Sequence, residues 1–164
     1  MRLASTKPSH TKSRGTAMPT EIRAIRETDH DLWLPLWQGY QRFYKTDISA
    51  KTTAITWQRF LDPAESQYCA LAWQDDQAIG MVHWIYHRSC WTVGDYCYLQ
   101  DLYVDDTRRG TGAGRKLIEH VYADAAIKNA ARVYWLTQED NVTAMQLYDR
   151  IADRPGFTQY RKML

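Results

Sequence analysis

The sequence is short of cysteine, has no acidic residue near its start and contains no long apolar run, and each shortage excludes a class of protein. Its 164 residues include three cysteines, Cys69, Cys90 and Cys97. An odd number without C-x-x-C spacing argues against a disulfide framework, and their strand-like surroundings predict reduced, buried thiols. No apolar stretch is long enough for a secretory leader or a membrane span, so a cytoplasmic protein with no membrane partner is expected. Residues 1–20 carry Arg2, Lys7, Lys12 and Arg14 and no Asp or Glu, while the remainder holds 17 basic and 19 acidic side chains. The net charge of +2 therefore comes from the tail. A body so close to neutrality does not suit a nucleic-acid surface, which needs clustered Lys and Arg. The tail, rich in Ser, Thr, Lys and Pro, reads as disordered, and residues 21–164 read as one domain.

Within that domain the periodicity changes repeatedly between two and 3.6. Strands are predicted over 21–26, 68–73, 79–87, 96–104, 133–137 and 157–163, and helices over 31–44, 54–61, 114–129 and 141–152. Asp29 or Asp31 is available to cap the first helix, and Pro35 is expected in its first turn, where proline is tolerated. The order β-α-α-β-β-β-α-β-α-β suits an α/β fold, a mixed and mostly antiparallel sheet with helices on both faces. A parallel strand pair then flanks the third helix, and ligands of such sheets bind beyond the carboxyl ends of strands.

The most informative stretch is YCYLQDLYVDDTRRGTGAGRK, residues 96–116. A strand-like run ends at Val104, an acidic turn follows, and Gly110, Gly112 and Gly114 open a helix. Glycines let the backbone bend and present successive N–H groups, and a helix start adds the positive end of its dipole, so the loop is a cradle for a diphosphate. Arg108, Arg109, Arg115 and Lys116 add charge. The Walker loop is excluded because Leu117 stands where it needs a metal-binding hydroxyl, and the G-x-G-x-x-G dinucleotide fingerprint fits the spacing poorly.

Arg109-x-x-Gly112-x-Gly114 between strand and helix resembles the cofactor loop of the GNAT superfamily of acetyl-CoA-dependent N-acetyltransferases. A second element of that pattern follows in order, with Asn141, Ala144, Leu147 and Tyr148 in N-x-x-A-x-x-L-Y spacing and then Gly156-Phe157. The likeness runs from about residue 21 to the C-terminus and is nearest to members acting on polyamines and other small amines. It implies acetyl-CoA as cofactor and a primary amine, polyamine-like or a lysine side chain, as acceptor. A non-catalytic acyl-CoA-binding module is the alternative, and a homodimer is an expected assembly.

The same resemblance assigns roles. Main-chain groups of the Leu102-Tyr103-Val104 triplet would bond the pantetheine arm, and the amides of Arg109, Gly110, Thr111, Gly112, Ala113, Gly114 and Arg115 would hold the diphosphate. Asn141 would touch the arm, unless it serves only as a helix cap. Tyr148 stands at the family's general-acid position, although an aromatic on an apolar helix face beside Met145 and Leu147 would look the same. Gln100-Asp101 replaces a common Glu-Asp, which leaves Asp101 to assist proton removal through water, or to anchor its neighbours. Alternation along a strand would put Gln100 and Asp101 on opposite faces. Tyr40, Tyr44, Trp84 and Gln100 are expected on the acceptor side, where aromatic rings attract an ammonium group. His83 and His87 share a strand face, as packing or proton-relay groups; two histidines without a third ligand do not make a metal site.

Overall fold

The computed structural model describes residues 19–164, so nearly all of the basic tail lies outside the described residues. Thr20, assigned to the tail, is buried, and its carbonyl accepts a 2.7 Å hydrogen bond from Lys116 Nζ. Five strands follow one another across the sheet in chain order: β1 (Glu21–Ala24), β2 (Gln67–Gln74), β3 (Gln77–His87), β4 (Tyr96–Val104) and β5 (Arg132–Tyr134). The first four are antiparallel neighbours, and β5 runs parallel to β4. The β2–β3 turn is made by Asp75 and Asp76, with φ of 49° and 59°. Positive φ at both central residues gives the turn the twist that a two-residue hairpin requires.

The helices are α1 (His30–Phe43), α2 (Ala50–Leu61), α3 (Ala113–Ile127) and α4 (Val142–Tyr148). Each sheet face has its own core. On one face α1 and α2 bury Trp33, Leu36, Trp37 and Trp57 against Cys69, Leu71, Trp73 and Met81. On the other, α3 buries Leu117, Ile118 and Val121 against Ala70, Val82, Trp84, Cys97 and Leu99. Alternate residues of β2 and β3 therefore serve opposite layers, which is why these strands read as nearly continuous apolar runs.

Several boundaries differ from expectation. α2 starts four residues early because the Ser49 side chain caps it, accepting from the Thr52 N–H at 3.1 Å. Pro35 is not in the first turn of α1 but inside the helix, so the Asp31 carbonyl lacks the amide partner a helix would give it. Asp29 occupies the N-cap position, yet its carboxylate turns back to the Arg26 N–H at 2.9 Å and makes no cap bond. β5 ends at Tyr134 instead of continuing to 137. The regular part of α4 stops at Tyr148, and tight turns carry the chain to Ala152. Residues 157–163 form no strand: Phe157, Tyr160 and Met163 are exposed and no neighbouring strand pairs with them. Strand propensity without a ladder partner does not make a strand.

One irregularity sets up the centre of the molecule. His83 pairs with Asp101 while Trp84 pairs with Leu99, so Gln100 is an extra residue in β4. Leu99 packs in the α3 core and Asp101 faces His83 on the α1 side, although the two are only two residues apart. The bulge breaks the alternation between Leu99 and Asp101, with Gln100 as the inserted residue.

Candidate active site

β4 pairs with β5 only through Tyr96, Cys97 and Tyr98. Beyond Tyr98 the edge of β4 facing β5 has no strand partner, although its other edge stays paired to β3 as far as Val104. Main-chain groups of Leu102, Tyr103 and Val104 thus border an opening of the kind an extended ligand enters as an added strand. The side chains there alternate: Leu102 and Val104 join the α3 core, and Tyr103 the α1 core.

The glycine loop lies just past the carboxyl end of β4. Asp105 caps a short 3-10 turn over Asp106–Arg108, and Gly110 and Gly112 follow with φ of 78° and 81°. A Cβ at either would meet nothing within 4 Å, so glycine is needed here for the left-handed backbone and not for room. Gly112 is the N-cap of α3 and has no side chain to offer its first turn. The first helical bond runs from the Lys116 N–H to the Gly112 carbonyl, 3.1 Å, so the N–H groups of Ala113, Gly114 and Arg115 precede the helix ladder. That donor set fits a diphosphate.

The basic side chains do less there than their sequence positions imply. Arg109 is ion-paired with Asp106 and lies over the Phe43 ring at 5.6 Å. Arg115 bonds Glu119 at 2.7 Å, Arg108 bonds Gln77 at 2.9 Å, and Lys116 reaches Thr20. Main-chain amides are what the loop has free to offer.

On the α1 face of the opening Asp101 is 6% exposed. Its Oδ2 lies 3.0 Å from His83 Nδ1, and the other ring nitrogen of His83 lies 2.9 Å from Trp33 Nε1. An indole N–H can only donate, so His83 Nε2 must accept, Nδ1 carries the ring proton, and Asp101 receives it. His83 is therefore fixed in one tautomer between two partners. Around this carboxylate stand three phenols. Burial first, and then the Asp101 charge, raise the pKa of Tyr40, Tyr44 and Tyr98. Tyr40 and Tyr44 touch at 4.8 Å between ring centroids, and Tyr40 stacks on Trp37 at 5.4 Å. The chain leaving α1 is held in place by buried Gln41, whose Oε1 accepts from the Ile48 N–H at 2.8 Å.

Tyr148 ends α4 and meets Trp135 edge-on at 5.3 Å. Burial, with Tyr44 adding to it, pushes its phenol up to about 12. Asn141 is the N-cap of α4 by position, but its side chain donates to Thr137 Oγ1 at 3.2 Å and makes no cap bond.

The expected residues do not all converge. Trp84, expected on the acceptor wall, is buried on the opposite face, where its Nε1–H donates to Asp124 Oδ2 at 2.9 Å and its ring stacks on Tyr68. Strand alternation puts it opposite His83. Gln100 is exposed at the bulge. Cys69 and Cys97 are buried, but Cys90 is exposed and lies in the loop after β3, not in a strand. Sequence reasoning missed His83 as the partner of Asp101, Trp33 as the partner of His83, Tyr98 as a member of the cluster, and Thr137 as the partner of Asn141. The signal available for the first was the pairing of a polar His with a polar Asp in otherwise apolar strands. Among the described residues no group of three His, Cys, Asp or Glu is placed to hold a metal ion, and no helix is long and apolar enough to cross a membrane.

The family model of the acetyltransferase (GNAT) family matches residues 23–152. The D-amino-acid N-acetyltransferase HPA3 of Saccharomyces cerevisiae is 36% identical over 143 residues, which are 86% of this chain and 89% of that protein. The solved structure of a ribosomal-protein-alanine N-acetyltransferase from Brucella melitensis biovar Abortus 2308 has a TM-score of 0.75 at 17% identity, covering 90% of this chain and all of its own. An aminoglycoside N-acetyltransferase in complex with CoA gives 0.76 at 17% identity, over 94% of this chain and 100% of its own. At such identities the two structures speak for the fold.

Proposed function

Because the chain belongs to the GNAT family of acetyltransferases and is an N-acetyltransferase that uses acetyl-CoA, we propose that its acceptor is a cationic primary amine, on a polyamine-like small molecule or a lysine side chain. That membership removes the non-catalytic acyl-CoA-binding module from consideration. The observation that carries the acceptor class is the buried Asp101 carboxylate among Tyr40, Tyr44 and Tyr98, beside the open edge of β4. Among the described residues no Lys or Arg is buried. A carboxylate ringed by aromatic faces attracts an ammonium group and repels an anion.

Bound acetyl-CoA supplies the activated acyl group as a thioester. The amides of Gly110 to Arg115 and the main chain of Leu102 to Val104 would hold and aim it, with Asn141 on the opposite side, whereas the expected Arg109 amide is taken by the Asp106 carbonyl. Asp101 and the phenols orient the amine, which must lose a proton before it can attack. At a reference pKa near 10.4 that loss costs about 4 kcal/mol at pH 7.4. Asp101 assists it through ordered water, and the Tyr148 hydroxyl donates to the departing sulfur.

Thiol release from acetyl-CoA with polyamines, D- and L-amino acids and a lysine peptide tests the acceptor class. HPA3 is named for D-amino acids, whose carboxylate would meet the charge of Asp101. Diamines are expected to give the higher kcat/KM, and Asp101→Asn to raise the amine KM roughly 10- to 150-fold, the worth of one charged hydrogen bond. Preference for D-amino acids with an amine KM insensitive to Asp101→Asn would overturn the proposal.

A further inference from the structure

We propose that His87 and Tyr134 form a relay that carries the proton of the acceptor ammonium to solvent, an inference that rests on the N-acetyltransferase reading of the site. The two residues end β3 and β5 and meet across the start of β4. His87 Nδ1 lies 2.9 Å from the Arg88 carbonyl, which can only accept, so Nδ1 carries the ring proton. His87 Nε2 then holds a lone pair, and the Tyr134 hydroxyl 2.9 Å away must donate to it. The Tyr134 oxygen keeps its own lone pairs for a further donor. Its ring stacks on Tyr98 at 5.1 Å between centroids and 24° between planes, and the Tyr98 phenol feels both Tyr134 and Asp101. The pair therefore abuts Tyr98 at the point where β4 and β5 part.

The two histidines of β3 differ in what they can do. His83 is buried and its Nε2 is taken by an indole N–H, so protonating it would set two donors against each other. His87 is exposed and its Nε2 faces a hydroxyl that can reverse its role. The ionisable groups around His87 are Tyr134 and Arg132 on β5, Tyr96 on β4, and Arg88 and Asp95 on the connecting loop. The Arg132 guanidinium lies over the Tyr96 and Tyr134 rings at 3.8 and 5.1 Å, and Arg88 approaches Asp95 at 3.6 Å. In the relay the ammonium N–H bond breaks and its proton passes, through the ordered water that Asp101 orients, to the Tyr134 oxygen as the Tyr134 proton passes to His87 Nε2. The amine keeps its lone pair for attack on the acyl carbon. The imidazolium, braced by the Arg88 carbonyl, then loses its extra proton to water.

The test is the pH dependence of kcat/KM for His87→Gln, which keeps an acceptor for Tyr134 but cannot take a proton, and for Tyr134→Phe, which keeps the stack. With an ordinary alkyl amine each variant is expected to lose about 100-fold at pH 7, the lower range for proton-transfer catalysis. The gap should narrow as the pH rises toward about 10.4, where half of the amine is neutral in solution. A fluorinated ethylamine, already neutral at pH 7, should be used equally well by variant and wild type. Equal losses for both amines, a loss independent of pH, or no loss would overturn the relay alone. Absence of thiol release by the wild type with every amine would defeat the acceptor proposal together with the relay.

Discussion

Removing the Tyr148 hydroxyl tests the acid end of the reaction, and the structure sets the size of the effect. Its phenol is pushed up to about 12, roughly 3.5 pH units above the ~8.5 of an ordinary thiol. Complete transfer of its proton to the departing thiolate would thus be uphill by about 5 kcal/mol. In the proposed reaction the hydroxyl would serve instead as a hydrogen-bond donor to the charge growing on sulfur, a contact worth about 1.5–3 kcal/mol when one partner is charged. Tyr148→Phe keeps the ring against Trp135, so kcat should fall roughly 10- to 150-fold while the acetyl-CoA KM stays constant. The sign with pH follows from the raised value. The donating form is the protonated one, so Tyr148 itself imposes no loss of activity below about pH 11. Steady-state thiol release between pH 6 and 10 measures both. Full activity in the variant, or a loss confined to the acetyl-CoA KM, would refute the reasoning.

Three further substitutions probe the frame around the site. A Cβ on Gly39 would fall 2.6–2.7 Å from the Tyr103 ring, so Gly39→Ala should cost about 1–3 kcal/mol in urea unfolding, and adding Tyr103→Leu should recover part of it. Gly112→Ala meets no atom but forces φ of 81° on a residue with a side chain. Strain of about 1–2 kcal/mol should appear mainly as weaker CoA binding in calorimetry, since the loop would relax and misalign its amides. Trp84→Phe removes the donor to Asp124 on the α3 face, so thermal unfolding should report a loss of about 1 kcal/mol, and the amine KM should not move.

The cradle was legible because its conformation is local. Glycine at 110 and 112 permits positive φ wherever the chain goes, and a strand running into a helix fixes where the amides lie. The order of strands and helices through α4 followed from hydrophobic period alone. Ser49, a cap signal in plain view, was overlooked at the start of α2. What failed depended on partners. Residues 157–163 have a strand's composition but no ladder, and β5 ends early because the neighbouring stretch of β4 departs from it.

What this sequence determined unaided was a glycine loop between a strand and a helix, and a phenol seven residues after an asparagine. Those are properties of spacing, and spacing is written in the chain. The tertiary structure decided which side chains share a face. One extra residue at Gln100 changes the phase of β4, which brings Asp101 to His83, itself held by Trp33, and leaves Trp84 in the opposite core. A bulge exists only between two paired strands, and its place is fixed by long-range register, which no local pattern in the sequence encodes.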